Sequence, residues 1–303
     1  MTHKVLIANR GEIALRIIRA CKELGIRTVA VYSTIDENSL HVKLADEAIC
    51  IGGERSLESY GNIHRVISAA VAVGANAIHP GYGFLAENST FAKIVEECGI
   101  MYVGPKAETI SLISDKTRAR QIAKANNVPI LEGSDTIIEV ASEALAFSRK
   151  IGFPILLKAQ NGGGGRGITI IREEESFIPR FEKTQMEARA NFSTEGLYIE
   201  KYIENARHVE IQIIADKFGN IVHLGERDCS MQRRHQKVIE ESPSPIVNAA
   251  LRQQMAEAAL RIAKAIDYRG AGTVEFLLDE NGKFFFIERS EEHTSELQSR
   301  ITI

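Results

Sequence analysis

Residues 4–8, Lys-Val-Leu-Ile-Ala, are apolar at every position after the first, the pattern of a short strand buried on both faces. After Asn9-Arg10-Gly11 the period changes. Ile13, Ile17, Ala20, Cys21 and Leu24 recur at helical spacing and predict an amphipathic helix ended by Gly25. Thr28-Val-Ala-Val-Tyr32 then reads as a second strand. Strand, helix and strand within about thirty residues form a βαβ unit, which calls for a parallel sheet covered by helices. The alternation continues with a helix near 61–73, a strand at Ala77-Ile78, a helix near 88–98 and a strand at Met101-Tyr-Val103. Residues 1–113 therefore read as one doubly wound α/β domain.

The pattern then loosens. Residues 114–130 predict a linking helix, with Ser114 as N-cap and Asn127 and Pro129 at its end. Residues 131–203 predict a smaller lobe: a helix over 141–150 closed by Gly152, a strand carrying Lys158, a strand over 168–171, a helix over 173–190 with Pro179 near its start, and a strand at 197–202. From 206 the chain turns to strands. Val209, Ile211 and Ile213 share one face of a strand, and His208, Glu210 and Gln212 share the other. That polar row suits either an active-site wall or an ordinary solvated face.

Three segments carry candidate chemistry. Apolar Ile155-Leu-Leu delivers Lys158 into a loop containing Gly162, Gly163, Gly164, Gly165, Arg166 and Gly167, and the apolar run Ile168-Thr-Ile-Ile follows. Glycines let backbone N–H groups approach an anion, and the flanking cations add charge, so the segment reads as a phosphate-handling lid. A flexible linker would have polar flanks. Gly81-Tyr-Gly83-Phe-Leu-Ala86 fits a dinucleotide fingerprint only by chance of spelling, because it follows His79-Pro80 and not the first strand. It still marks a tight loop at a strand end, where open α/β sheets place ligands. Residues 227–237 (Arg-Asp-Cys-Ser-Met-Gln-Arg-Arg-His-Gln-Lys) hold four positive charges against one negative and read as a basic loop suited to an anion.

Residues 273–288 predict a hairpin. With Asn281-Gly282 as a two-residue turn, Glu280 pairs Lys283, Asp279 pairs Phe284, and Glu275 falls opposite Glu288. Facing carboxylates repel unless a cation lies between them. Next to a phosphate loop the simplest such cation is Mg²⁺. A longer turn would shift the register and separate the two acids.

Composition narrows the partners. The chain has 303 residues and a formal net charge of −3, so no global field draws it to nucleic acid or to anionic membranes. The basic segment lacks interleaved aromatics for base stacking. Cys21, Cys50, Cys98 and Cys229 are scattered and read as reduced thiols. No targeting segment or membrane span is legible, so a cytoplasmic setting is expected.

Taken together, the motifs resemble the biotin carboxylase family, the ATP-grasp component of biotin-dependent carboxylases such as acetyl-CoA carboxylase. The resemblance rests on Ile7-Ala-Asn-Arg-Gly-Glu-Ile-Ala, His79-Pro-Gly-Tyr-Gly-Phe-Leu, Val103-Gly-Pro, Lys158 with the glycine run, His208-Val-Glu-Ile-Gln, Glu226 to Lys237, and Gly270-Ala-Gly-Thr-Val-Glu275-Phe. It implies an α/β fold: a doubly wound N-terminal domain (1–113), the linking helix (114–130), an ATP-grasp lid (131–203) and a partial C-terminal ATP-grasp domain (204–288). It implies attack of bicarbonate on MgATP to give carboxyphosphate, which then carboxylates biotin on a carrier protein or domain. Mg²⁺ is the implied metal, with Mn²⁺ as a substitute. Carboxyltransferase subunits and a homodimer of the full-length parent are implied too.

Carried over by position, the resemblance implies that Lys116 and Lys158 contact ATP phosphates, with Gly163, Gly164 and Gly165 closing over them. Glu200, Lys201, Tyr202 and Ile203 would cradle the adenine. His208, Gln232, His235 and Leu277 would line the nucleotide site, and Glu275 and Glu288 would hold the metal. Lys237 would bind bicarbonate, with Arg234 and Glu210 beside it in the catalytic group.

After Glu288 the resemblance stops. Ser290 stands where the family has a metal-binding Asn, Glu292 stands where it has a bicarbonate-binding Arg, and Glu296 is in register with its general base among unmatched neighbours. Arg289-Ser-Glu-Glu-His-Thr-Ser-Glu-Leu-Gln-Ser299 reads as the translation of a sequencing-adapter oligonucleotide. The expectation is therefore an artefactual tail over 289–303 on a truncated carboxylase, with an exposed Phe-rich edge, poor solubility and no biotin-dependent ATPase. Two alternatives stay open: another ATP-grasp ligase of the carbamoyl-phosphate synthetase type, and a catalytically dead ATP-binding module.

Overall fold

The computed structural model describes residues 3–159, 168–192, 196–233 and 236–291. Buried Val5, Leu6 and Ile7 form strand β1 (Lys4–Ile7), which continues into helix α1 (Gly11–Glu23) and β2 (Arg27–Ser33). Then follow α2 (Leu40–Leu44), β3 (Glu47–Gly52), α3 (Ile63–Ala72), β4 (Ala77–His79), α4 (Ser89–Glu97) and β5 (Met101–Tyr102). All pairings in this sheet are parallel and the order is β3-β2-β1-β4-β5, with apolar clusters on both faces. Parallel sheets of this kind need both faces covered. The expected α1 face is shifted: Ala14 and Ile18 are buried with Ile13, Ile17 and Cys21, while Ala20 and Leu24 are exposed. Leu24 is the C-cap and has already left the helical stripe.

Two helices, not one, lead out of this domain. α5 (Ala107–Ser114) was not legible in the sequence, and α6 spans Lys116–Ala125. Ser114 ends α5, where its hydroxyl donates to Ile110 O. The N-cap of α6 is Asp115, whose carboxylate accepts from the backbone N–H groups of Thr117 and Arg118 at 2.9 and 3.2 Å. Asp115 outcompetes Ser114 because a carboxylate also complements the positive end of the helix.

The smaller lobe consists of α7 (Ala141–Ile151), β6 (Ile155–Ala159), β7 (Ile168–Ile171), α8 (Phe177–Phe192) and β8 (Leu197–Lys201). Its antiparallel sheet runs β7-β6-β8 and packs on Phe177, Phe181 and Ala144. The glycine run predicted to close over phosphates, including Gly163, Gly164 and Gly165, lies outside the described residues.

The third sheet is built from β9 (Arg207–Ala215), β10 (Ile221–Arg233), β11 (Gln236–Glu241), β12 (Gly270–Leu278) and β13 (Phe284–Glu291), with α9 (Ala249–Ala265) inserted before β12. Its order is β11-β10-β9-β12-β13, antiparallel throughout. Val209, Ile211, Ile213, Val274 and Phe276 face α9 and the α6 residues Ala119 and Ala123 in one core. The segment expected as a basic loop is instead the hairpin of β10 and β11, with Gln232 opposite Lys237. The Phe-rich strand is not bare: Phe284 and Phe286 are buried, and the Phe286 N–H donates to Pro129 O at 2.8 Å. Among the described residues, no helix is long and apolar enough to cross a membrane.

The β12–β13 turn departs from the two-residue expectation. Leu278 pairs Phe284, so the loop runs from Asp279 to Lys283. The Gly282 N–H donates to Asp279 O at 3.1 Å, and Gly282 takes φ +78. That is a type I turn followed by a left-handed glycine. The pairing is thereby offset by one residue as far as Phe276 opposite Phe286, and a bulge then restores Glu275 opposite Glu288. The predicted facing pair stands because two register changes cancel.

Candidate active site

Strand alternation gathers the polar side chains on the sheet face away from α9. On β9, His208, Glu210 and Gln212 lie opposite Leu277, Glu275 and Thr273 of β12. Arg227 of β10 pairs Glu210 from the other side, and Glu288 of β13 pairs Glu275. One transverse row thus crosses four neighbouring strands: Arg227, Glu210, Glu275, Glu288. The row is no solvated face, since Glu210, Gln212 and Glu275 are all buried.

Buried carboxylates need compensation. The Arg227 guanidinium reaches Glu210 Oε1 through Nε at 2.6 Å and donates to Gln212 Oε1 at 2.9 Å. Lys237, with a side chain only 7% exposed, donates to Glu210 Oε2 and, at 3.1 Å, to Glu275 Oε1. His208 Nε2 lies 2.9 Å from Glu275 Oε2, and His208 Nδ1 is 2.8 Å from Gln232 Nε2. Burial alone would push the Glu275 carboxyl up, but the His208 hydrogen bond and the Lys237 charge hold it well below the usual glutamate range. Burial likewise opposes charge on Lys237, but Glu275 and Glu210 outweigh it and raise its pKa, so the ammonium stays charged.

A second cluster links the lobe to α6. Glu200 of β8 contacts the Lys158 ammonium through Oε2 and accepts from Arg120 Nη1 at 2.8 Å through Oε1. Arg120 Nη2 also donates to Leu131 O at 2.9 Å. Lys201 points the other way, as alternation along β8 requires, and its ammonium donates to the carbonyls of Gly152 and Phe153, both at 3.0 Å. Tyr202 lies under the Arg172 guanidinium, and Ile203 is half-buried. Lys116 opens α6 by its backbone, next to the Asp115 cap. Arg234, His235, Glu292 and Glu296 lie outside the described residues. Arg120 was missed in the sequence, although it sits four residues after Lys116 and so on the same helical face.

His208, Glu210 and Glu275 present ligand atoms within 4.8 Å of one another. Oxygen donors dominate the row, a donor set that suits a hard divalent cation such as Mg²⁺.

Comparison with known proteins now gives this geometry a family. A profile described as "Biotin carboxylase, N-terminal domain" matches residues 1–110, and one described as "Carbamoyl-phosphate synthase L chain, ATP binding domain" matches 115–296. Biotin carboxylase 1 of Bacillus subtilis is 55% identical over 289 residues, which cover 95% of this chain and 64% of that protein. The chain belongs to the biotin carboxylase family. The biotin carboxylase of a Nostoc species is 53% identical over 285 residues, covering 94% of this chain and 64% of its own length. A Campylobacter jejuni biotin carboxylase structure, described as a β,γ-ATP complex, superposes with a TM-score of 0.94 at 46% identity, covering 99% of this chain and 67% of that one. The biotin carboxylase domain dimer of Hydrogenobacter thermophilus 2-oxoglutarate carboxylase, bound to MgADP, ADP and bicarbonate, superposes with a TM-score of 0.92 at 49% identity, covering 98% of this chain and 66% of that one. The chain spans slightly under two thirds of the length of these curated relatives.

Proposed function

We propose that this chain carries the ATP-grasp site for ATP-dependent carboxylation of carrier-bound biotin, with bicarbonate as the carboxyl source and carboxyphosphate as the intermediate. The observation that carries this reading is the buried row of Arg227, Glu210 and Glu275 with Lys237 laid across it. Lys237 holds a fixed positive charge where an anionic substrate can meet it, and Glu210 and Arg227 keep that charge in place. His208 joins the Gln232 amide to Glu275 and orients both. Lys158 and Lys116 supply charge to the phosphates, Glu200 and its neighbours through Ile203 contact the base, and Leu277 lines the floor. Glu275 and Glu288 would hold Mg²⁺, which would neutralise phosphate oxygens. The lobe over 131–203 acts as a lid that excludes water from a labile intermediate.

The same reading assigns a pre-ATP-grasp domain to 1–113 and the ATP-grasp body to the residues from 204 onward. Its partners are a biotin carboxyl carrier, carboxyltransferase subunits and a second copy of the parent chain, in the cytoplasm. The test is titration of the purified chain with MgATP by calorimetry, alongside phosphate release with bicarbonate and free biotin. MgATP binding that E275Q abolishes is expected. Biotin-accelerated, bicarbonate-dependent release identifies the carboxylase reaction, and binding without release assigns this chain the binding role alone. No binding of MgATP sinks the proposal.

A further inference from the structure

The Glu200 carboxylate sits between two cations that come from different parts of the fold. Lys158 rises from β6 within the lobe, next to β8 in the same sheet. Arg120 comes from α6, whose Ala119 and Ala123 are packed into the core of the third sheet. The side chains of Arg120 and Glu200 are each 10% exposed, and that of Lys158 is 16% exposed, so neither charge on Glu200 is interchangeable with water. The site is also shaped for the arginine. A Cβ on Gly133 would lie 3.1 Å from Arg120 Nη2 and 3.1 Å from Glu200 Cγ, so a bare backbone lets the guanidinium pass. Its second N–H group is committed to Leu131 O, which fixes the fork in place.

This arrangement poses a problem for nucleotide binding that the same arrangement solves. If Lys158 serves the phosphates, it must leave Glu200. A buried carboxylate abandoned by its cation is strongly destabilising. We propose that Arg120 is a positioning residue for nucleotide binding: it remains on Glu200 as a permanent counter-ion, which frees Lys158 to move to the phosphates. Arg120 does this without touching the nucleotide. The inference rests on the reading of Lys158 as a phosphate ligand.

The test compares wild type, R120M, R120K, E200Q and the R120M/E200Q double variant, each first checked for a cooperative melt. MgATP affinity is measured by calorimetry and adenosine affinity by ligand-observed NMR. R120M is expected to weaken MgATP by roughly tenfold or more, because Lys158 can no longer depart freely. Adenosine, which has no phosphate to draw Lys158 away, is expected to bind R120M as it binds wild type. R120K recovers part of the loss by restoring the charge without the fork. In the E200Q background, removing Arg120 has little further effect, since no carboxylate needs it. Equal loss of MgATP and adenosine in R120M would mean a merely structural role and overturns the inference. So does unchanged MgATP binding, or a full R120M penalty persisting in E200Q. Should R120M fail to melt cooperatively, R120K and the R120M/E200Q variant decide: a loss in R120K that is equal for MgATP and adenosine, or a loss of MgATP affinity in R120M/E200Q relative to E200Q, overturns it. Failure of wild type to bind MgATP is a different result, and it overturns the functional reading itself.

Discussion

Replacing Lys237 by Met removes the charge at the centre of the buried row while keeping side-chain volume. In the wild type the ammonium touches both Glu210 and Glu275, and its side chain is 7% exposed. Removing one partner of a buried ion pair costs about 3–5 kcal/mol. Neither glutamate is left bare, however. Glu210 keeps Arg227 at 2.6 Å, and Glu275 keeps His208 at 2.9 Å. The loss therefore belongs at the lower end, about 3 kcal/mol. Urea unfolding at neutral pH followed by circular dichroism measures it, because a drop in midpoint at constant slope reports stability alone. Millimolar Mg²⁺ is expected to restore part of the difference in K237M, since a cation binding the folded acids substitutes for the missing one. A loss below about 1 kcal/mol, the size typical of a solvated pair, would show that Lys237 is not the buried counter-ion of this row and that the account of the site is wrong.

Glu226 accepts two 2.6 Å bonds from Arg252, whose side chain is 32% exposed, so E226Q is expected to lose about 2 kcal/mol in urea unfolding, less than a fully buried pair. G133A places a Cβ 2.7 Å from Ile199 O, and the melt should drop by an amount equivalent to about 1–3 kcal/mol of overpacking. Glu275 is held ionised below its ordinary value of 4.5, so its contribution is whole above that pH and is lost as pH falls through and below it. Urea midpoints of wild type should accordingly fall more steeply on acidification than those of E275Q; parallel curves would remove Glu275 as the source.

The parts of the fold that were legible are those where one period rules a whole segment. β9 is the clearest case. Val209, Ile211 and Ile213 are fully buried in the core, and Glu210 and Gln212 between them share the opposite face, so a period of two settled which residues lie on each face. The sequence left the meaning of the polar face open, because burial of Glu210 depends on Arg227 and Lys237 arriving from other strands. The segment from 227 to 237 looked like a loop because its charges mask any alternation. Its strands form by pairing with β9 and with each other, around two register shifts that no local pattern announces. Arg120 was invisible for a related reason: its partner is eighty residues away in the chain, across a lobe boundary.

The register of the last hairpin shows what the site requires of the backbone. A type I turn with a left-handed glycine displaces the pairing by one residue, which if carried through would turn Glu288 away from Glu275. The bulge between Glu275 and Phe276 reverses that displacement just where the two acidic positions pair. The result places three glutamates side by side on three adjacent strands, an arrangement that destabilises a sheet by itself. Arg227 and Lys237 supply two positive charges against these three negative ones, so one negative charge is left over among these five groups. A single divalent cation would turn that residual negative charge into a positive one, and a positive row is what a triphosphate and a bicarbonate anion need in order to approach one another. On the proposed reading, the like-charged pair that looked like a fault in the hairpin is the feature that would let the bare site take a metal and the metal-loaded site take anions.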